Sequence, residues 1–131
     1  ATDLCQDPRR QNAMVTQLIM PYGDTLRRLI AGGGKVVAGT DSPIIPPGIS
    51  LHTEIQNFVE GGLTPFQALQ TATVWAAEAL GAGEDLGTIE PGKLADLVII
   101  KGDPLSDIRA TWNIHTVIKN GKAYSLDDLL H

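Results

Sequence analysis

The sequence predicts an α/β fold in two parts: helices around one buried strand up to about Gly83, and a small β part from Asp85 to Tyr124. Three observations predict it. Leu51, Ile55, Phe58 and Val59 recur at i, i+4, i+7 and i+8, the spacing of one helix face, after a short β-branched run at Val36-Val37. Thr64-Pro65-Phe66-Gln67 is a capping box with proline at the first helical position, which announces a further helix. Beyond Gly83 the signals are those of strands and tight turns, with Pro91-Gly92 and Asn120-Gly121 set between apolar runs.

Taken in order, residues 1–23 show no clear period. Asp7-Pro8 and Pro21-Tyr22-Gly23 read as turns, and Ala13 to Met20 fits a short apolar helix or strand between them. Asp24 can cap a helix whose inner face is Leu26, Leu29 and Ile30 and which stops at Gly32 to Gly34. Lys35 to Asp41 follows, and its short apolar core reads as a strand buried on both faces. Ser42 to Gly48 is a loop with three prolines. Ser50 opens the helix that carries the Leu51 face, and Gly61-Gly62 stops it. The helix begun at Thr64 carries Leu69, Ala72 and Ala76 inward and ends near Gly81, with a point of re-nucleation at Thr73. Glu90 to Lys93 is a type II turn, and Ala95 to Lys101 is a strand closed by Gly102-Asp103-Pro104. Ile114 to Lys119 and Lys122 to Tyr124 form a hairpin across Asn120-Gly121, and Ser125 to His131 is a short terminal helix.

Composition narrows the functional classes. Hydrophobic residues make up 43% of the 131 and charged residues 19%, the balance of an ordinary globular chain. The longest apolar run, Leu97 to Ile100, is far too short to span a membrane. No basic, then apolar, then small-residue pattern opens the chain, so no signal peptide is expected. A net charge of −5 with scattered Lys and Arg opposes a nucleic-acid partner, which needs a basic stripe to neutralise phosphates. The single Cys5 cannot form an internal disulfide, which suits a cytoplasmic setting.

Few residues could carry chemistry. Asp41 ends the predicted strand, and a carboxylate there sits where α/β folds place their active sites. It can bind a metal or accept a proton, and equally it can cap the turn that follows. His52, in the first turn of the next helix, can face a site and hydrogen-bond a substrate, or simply satisfy the helix start. His115 reads as structural and His131 is terminal, and the three histidines show no metal-ligand spacing. Gly32 to Gly34 precedes a strand rather than following one, so it is a helix stop and not a phosphate loop. Ser42 lacks the G-x-S-x-G context of a serine hydrolase. Trp75 and Trp112 read as packing residues.

Four blocks carry a more specific signal. They are Gly39-Thr40-Asp41-Ser42; Leu51-His52-Thr53-Glu54-Ile55 running into Gly62-Leu63-Thr64-Pro65; Gly87-Thr88-Ile89-Glu90-Pro91-Gly92-Lys93-Leu94-Ala95-Asp96 with Gly102-Asp103-Pro104-Leu105; and Val117-Ile118-Lys119-Asn120-Gly121-Lys122. In this order and spacing the text from Gly34 to Tyr124 resembles the C-terminal end of the amidohydrolase superfamily, in its imidazolonepropionase-like and prolidase-like branch. The resemblance implies the last part of a (β/α)₈ barrel over residues 1–83 and a portion of a small β-sandwich with a terminal tail over residues 85–131. It implies that Asp41 is the aspartate of the eighth barrel strand, contacting a divalent metal, zinc, and passing the proton of the attacking hydroxide to the leaving nitrogen. It implies that Ser42 and Pro43 begin a substrate-side loop, and that His52 lies beside the substrate. The substrate class is a small amide or a peptide-like amide.

The departures from the family pattern are equally informative. The family's H-x-H on strand one, its lysine or glutamate on strand four and its histidines on strands five and six have no counterpart in this chain. A complete barrel takes about 250 residues. The expectation is therefore a fragment, inactive when isolated, whose uncovered strand edges and apolar helix faces lead it to pair with a second copy. The alternative is a non-catalytic, self-associating α/β module.

Overall fold

A computed structural model describes residues 20–40 and 49–130 of the chain. The expected turn at Asp7-Pro8, the stretch from Ala13 to Ile19, the predicted loop Ser42 to Gly48, and the site residues Asp41, Ser42 and Pro43 lie outside the described residues. Among the described residues four helices come first: α1 (Met20–Ala31), α2 (Ile49–Glu60), α3 (Pro65–Thr71) and α4 (Val74–Ala79). Then follow β1 (Leu97–Ile100), a 3₁₀ turn (Ile108–Trp112), β2 (Ile114–Lys119), β3 (Lys122–Ser125) and the short α5 (Leu126–Leu130).

Most of the punctuation expected from the sequence is present. α1 begins at Met20, ahead of the expected cap at Asp24, so Pro21-Tyr22-Gly23 belongs to its first turn and is not a separate one. It ends where Gly33 takes a left-handed backbone (φ 85°) and the Gly34 N–H reaches back to the Leu29 carbonyl at 2.9 Å. The Thr64 side chain accepts the Gln67 N–H at 3.2 Å while the Gln67 side chain accepts the Thr64 N–H at 3.0 Å, so two orphan donors of α3 are satisfied reciprocally. The helix breaks at Ala72-Thr73 and restarts as α4, at the predicted point of re-nucleation. Lys93 donates its N–H to the Glu90 carbonyl at 3.3 Å, closing the Pro-Gly turn.

The core lies on one side of α2. Ile55, Ala68 and Ile108 form its buried centre, at 5%, 0% and 6% exposure, with Phe58, Val59, Leu69 and Ala72 packed around them. α2 thus packs against α3 on one flank and the 3₁₀ turn on the other, so the core draws on residues from both sides of Gly83. The 3₁₀ turn, for which no sequence pattern was apparent, is capped by Asp107, whose carboxylate accepts the Arg109 N–H at 3.0 Å. On its other side α2 meets α1, where Gly23 and Gly61, both buried, bring two backbones into contact. Leu29 of α1, expected to face inward, is 48% exposed because nothing among the described residues covers it.

The segment expected as a doubly buried strand departs from expectation. Residues 34–40 are in neither helix nor strand and pair with no strand among the described residues. Val36, Ala38 and Thr40 are half-buried while Val37 is 43% exposed, so one face is covered by helices and the other is open. The β-branched run favours a strand, but a ladder needs a neighbouring strand to exchange hydrogen bonds with.

The β part is a three-stranded antiparallel meander in the order β1-β2-β3. Val98 lies opposite Val117, and Val117 opposite Tyr124, with an irregularity between Ile99 and Ile100. Asn120 (φ 50°) and Gly121 (φ 79°) make the tight turn between β2 and β3. Asp96 clasps that turn to the start of β1: its carboxylate accepts the Asn120 N–H at 2.7 Å and pairs with Lys119. The Asn120 amide, then the Lys119 ammonium, hold the Asp96 carboxyl below its ordinary value of 3.8. A carboxyl depressed in the folded state adds stability above its unfolded pKa, and that stability is lost as pH falls through the lower folded value. The Asp96→Asn variant is therefore expected to melt a few degrees lower at neutral pH and to lose less on acidification from about pH 5 to pH 2. Asp103, Asp107 and Asp128 are depressed by hydrogen bonds of their own, so the Asp96 share is the difference between the two acid profiles. Superimposable differences at every pH would contradict it.

Candidate functional site

Residues 34–40 are fastened to three helices in turn. The Lys35 ammonium pairs with the Glu78 carboxylate on α4. The Ala38 N–H donates to the Thr71 carbonyl on α3 at 3.0 Å. Thr71 is fully buried, and its hydroxyl donates to the Ala68 carbonyl at 2.7 Å, so this anchor belongs to the core. The Gly39 N–H donates to Glu54 Oε1 on α2 at 3.1 Å. The last described residues of the segment are thereby held beside the first two turns of α2.

Those two turns carry an unusual density of buried polar atoms. Ser50 Oγ, His52 Nδ1 and Glu54 Oε2 are each buried with no hydrogen-bond partner among the described residues. Ser50 is 5% exposed. Ser50 and Glu54 stand four residues apart, one turn, and so share the helix face that meets residues 34–40. His52 lies on a different face, its ring centroid 5.2 Å from that of Trp112 with the planes tilted by 33°. Buried polar atoms without partners are costly, so each of these sets its residue apart from the solvated polar positions of α2.

Of the predicted site residues, only His52 is among the described ones, half-buried and set against an aromatic ring. Trp112, expected as a packing residue, makes this ring contact while remaining 43% exposed. His115 is exposed on β2. Ser50 and Glu54 carry no distinguishing signal in the sequence. Beside Trp112 a shallow groove is lined by Gln56, Lys101, Asp103, Asp107 and Arg109. Its main charges are spent locally, since the Arg109 guanidinium grips Asp107 at 2.8 to 3.1 Å.

Among the described residues no group of three or more His, Cys, Asp or Glu side chains is placed to hold a metal ion. The donor set of the described part, one histidine and one carboxylate on different faces of α2, does not amount to a metal centre. Among the described residues no helix is long and apolar enough to cross a membrane.

Residues 21–124, most of the chain and nearly everything from α1 through β3, match the amidohydrolase family. The chain belongs to that family. The imidazolonepropionase of Geobacillus kaustophilus (strain HTA426) is 39% identical over 109 residues, which is 79% of this chain and 26% of that protein. The 5-methylthioadenosine/S-adenosylhomocysteine deaminase of Thermodesulfovibrio yellowstonii (strain ATCC 51303 / DSM 11347 / YP87) is 32% identical over 116 residues, 78% of this chain and 25% of that protein. Among solved structures, a Xaa-Pro dipeptidase with methionine bound in its active site is 39% identical with a TM-score of 0.71, covering 79% of this chain and 25% of that one. Phenylurea hydrolase B is 32% identical with a TM-score of 0.69, covering 83% and 27%. This amidohydrolase chain spans about a quarter of the length of the relatives that it matches.

Proposed function

We propose that this chain is the C-terminal part of a metal-dependent amidohydrolase that cleaves C–N bonds of small amides or peptide-like substrates, and that it is inactive in isolation. One observation carries the reading: a continuous family match over residues 21–124 that amounts to only a quarter of the related enzymes. In it, residues 1–83 are the end of the (β/α)₈ barrel and residues 85–131 a portion of the β-sandwich with its tail. Asp41 is the catalytic carboxylate and the one metal ligand that this part contributes, with zinc the metal of the complete enzyme. Ser42 and Pro43 open the substrate-side loop, and His52 binds substrate.

The chemistry of Asp41 follows from its type and place. A carboxylate that follows residues 34–40 can take a proton from an attacking water and return it to the leaving nitrogen, which a C–N cleavage requires. The three fastenings of residues 35, 38 and 39 support this reading, because they hold the segment that runs into Asp41. The single cysteine is in keeping with a cytoplasmic setting. The test is to exchange residues 21–124 into the matching part of the Geobacillus kaustophilus enzyme and to measure hydrolysis with and without Asp41→Ala. The variant is expected to lose about 10²–10⁴-fold in rate. Equal rates with and without the substitution would remove Asp41 from the mechanism.

A specific observation favours the second reading, a self-associating module, for the chain by itself. Val98 at 58% and Ile99 at 45% exposure lie on β1, whose outer edge is unpaired among the described residues, and Ile89 and Val37 are exposed as well. A free strand edge with apolar neighbours pairs readily with a second copy, so the isolated chain forms a homo-oligomer in this proposal, through β1 and the Lys35 to Ala38 segment.

A further inference from the structure

Residues 83–94 carry the chain from the end of α4 to the approach of β1, and they fold back on themselves on the way. The Leu94 N–H donates to the Asp85 carbonyl at 2.9 Å, which brings the two ends together. Between them Gly87, with a left-handed backbone (φ 93°), lies flat on α4. A Cβ there would stand 2.8 Å from Ala77 Cβ and 2.9 Å from Val74 Cα. A surface loop with joined ends is packed by its own side chains. The side chain that fills this one is a lysine.

Lys93 is unlike the other lysines of the chain. Lys35, Lys101, Lys119 and Lys122 are exposed, whereas the Lys93 side chain is only 14% exposed. An ammonium leaves water only where other groups replace its hydration. Its Nζ donates to the Gly83 carbonyl at 2.7 Å and to the Thr88 hydroxyl at 2.6 Å. The first bond joins one end of the loop to the other, and the second draws in its middle. The Glu90 carboxylate stands 4.0 Å away and is mostly exposed, so it adds little. Two neutral oxygens of the loop therefore hold the cation, through bonds roughly twice as strong as neutral ones.

Beyond the loop the chain is fastened in the other direction. The Asp96 carboxylate holds the Asn120 N–H, and the Gly121 N–H donates to the Ala95 carbonyl at 3.0 Å. Lys93 thus ties the connection back toward α4, while Ala95 and Asp96 tie it forward to the β2–β3 turn. The two ties share no partner, so one can open while the other stays closed. We propose that residues 83–94 form a strap latched from within by the Lys93 ammonium, and that removing this charge opens the strap while the helical core and the sheet stay folded. Latched, the strap delivers β1 at a fixed place relative to α4; released, it is a loose tether. The latch is a property of this chain and does not rest on the proposed function.

The test is amide hydrogen exchange on the full chain as wild type, Lys93→Met, Thr88→Val and Lys101→Met. Methionine keeps an unbranched apolar stem without the ammonium. Valine keeps the shape of Thr88 and the charge of Lys93 but removes one acceptor. Lys101→Met makes the same change in net charge at an exposed lysine. The reporter is the Leu94 amide. Its exchange is expected to quicken about 10²-fold in Lys93→Met and about tenfold in Thr88→Val, at about tenfold per bond lost, and to be unchanged in Lys101→Met. The amides of Ala68 and Gly121, bonded to the Thr64 and Ala95 carbonyls, are the references for the core and the hairpin and are expected to hold. Unchanged Leu94 exchange in Lys93→Met, or equal quickening in Lys101→Met, would overturn the proposal. Should methionine loosen all three amides alike, Thr88→Val decides: Leu94 alone quickened supports the latch, and any other pattern overturns it.

Discussion

Gly23→Ala is expected to destabilise the chain by about 3 kcal/mol, among the largest effects of a single methyl group anywhere in it. A Cβ built on Gly23 would stand 1.9 Å from the Gly61 carbonyl oxygen and 2.7 Å from the Gly61 Cα. Both are backbone atoms at the end of α2, so no side-chain rotation relieves the clash. The helices must separate, and the closely packed contact between α1 and α2 is lost along with them. Urea denaturation followed by circular dichroism measures it. The midpoint should fall clearly in the variant, whereas Gly33→Ala, whose Cβ meets nothing within 4 Å, should show only the smaller strain of its left-handed backbone. An unchanged midpoint in Gly23→Ala would mean that α1 does not rest on α2 in solution.

Ile108→Ala is expected to cost a similar amount, about 3 kcal/mol, through the cavity that it leaves. Ile108 is 6% exposed and stands in the core with Ile55 and Ala68, although it comes from the 3₁₀ turn between β1 and β2. It is therefore the side chain through which the β part shares the helical core. Two tryptophans report on the two parts, Trp75 in α4 and Trp112 in the 3₁₀ turn. Variants that keep only one of them should show coincident unfolding, shifted together by Ile108→Ala. Separate transitions, with only the Trp112 signal moved, would show that the shared core does not couple the parts.

How much of this was legible beforehand depends on whether a feature is local. The capping box at Thr64, the break at Thr73, the Pro91-Gly92 turn and the Asn120-Gly121 hairpin are set by residues within four positions of one another, and all stand where the sequence put them. The 34–40 segment is not the strand buried on both faces that its β-branched run predicts. Its own residues favour a strand, while pairing and double burial depend on neighbours that no pattern in 34–40 encodes. The 3₁₀ turn at Ile108 carries no periodic signal because five residues are too few to show one. At the site, Asp41, Ser42 and Pro43 were legible only through family blocks and lie outside the described residues. Glu54 and Ser50 were passed over, because a polar residue in a helix is ordinarily solvated and only the fold shows their oxygens turned inward.

The central claim, that this chain is the part of a metal-dependent amidohydrolase that brings Asp41, is tested most directly by metal content. The measurement is elemental analysis of the Geobacillus kaustophilus chimera carrying residues 21–124, of its Asp41→Ala variant, and of the isolated chain, each first shown to be folded by circular dichroism. Stoichiometric zinc in the chimera, much reduced by Asp41→Ala and absent from the isolated chain, is the predicted result. Zinc held equally by the chimera with and without Asp41, or held stoichiometrically by the isolated chain, would contradict it.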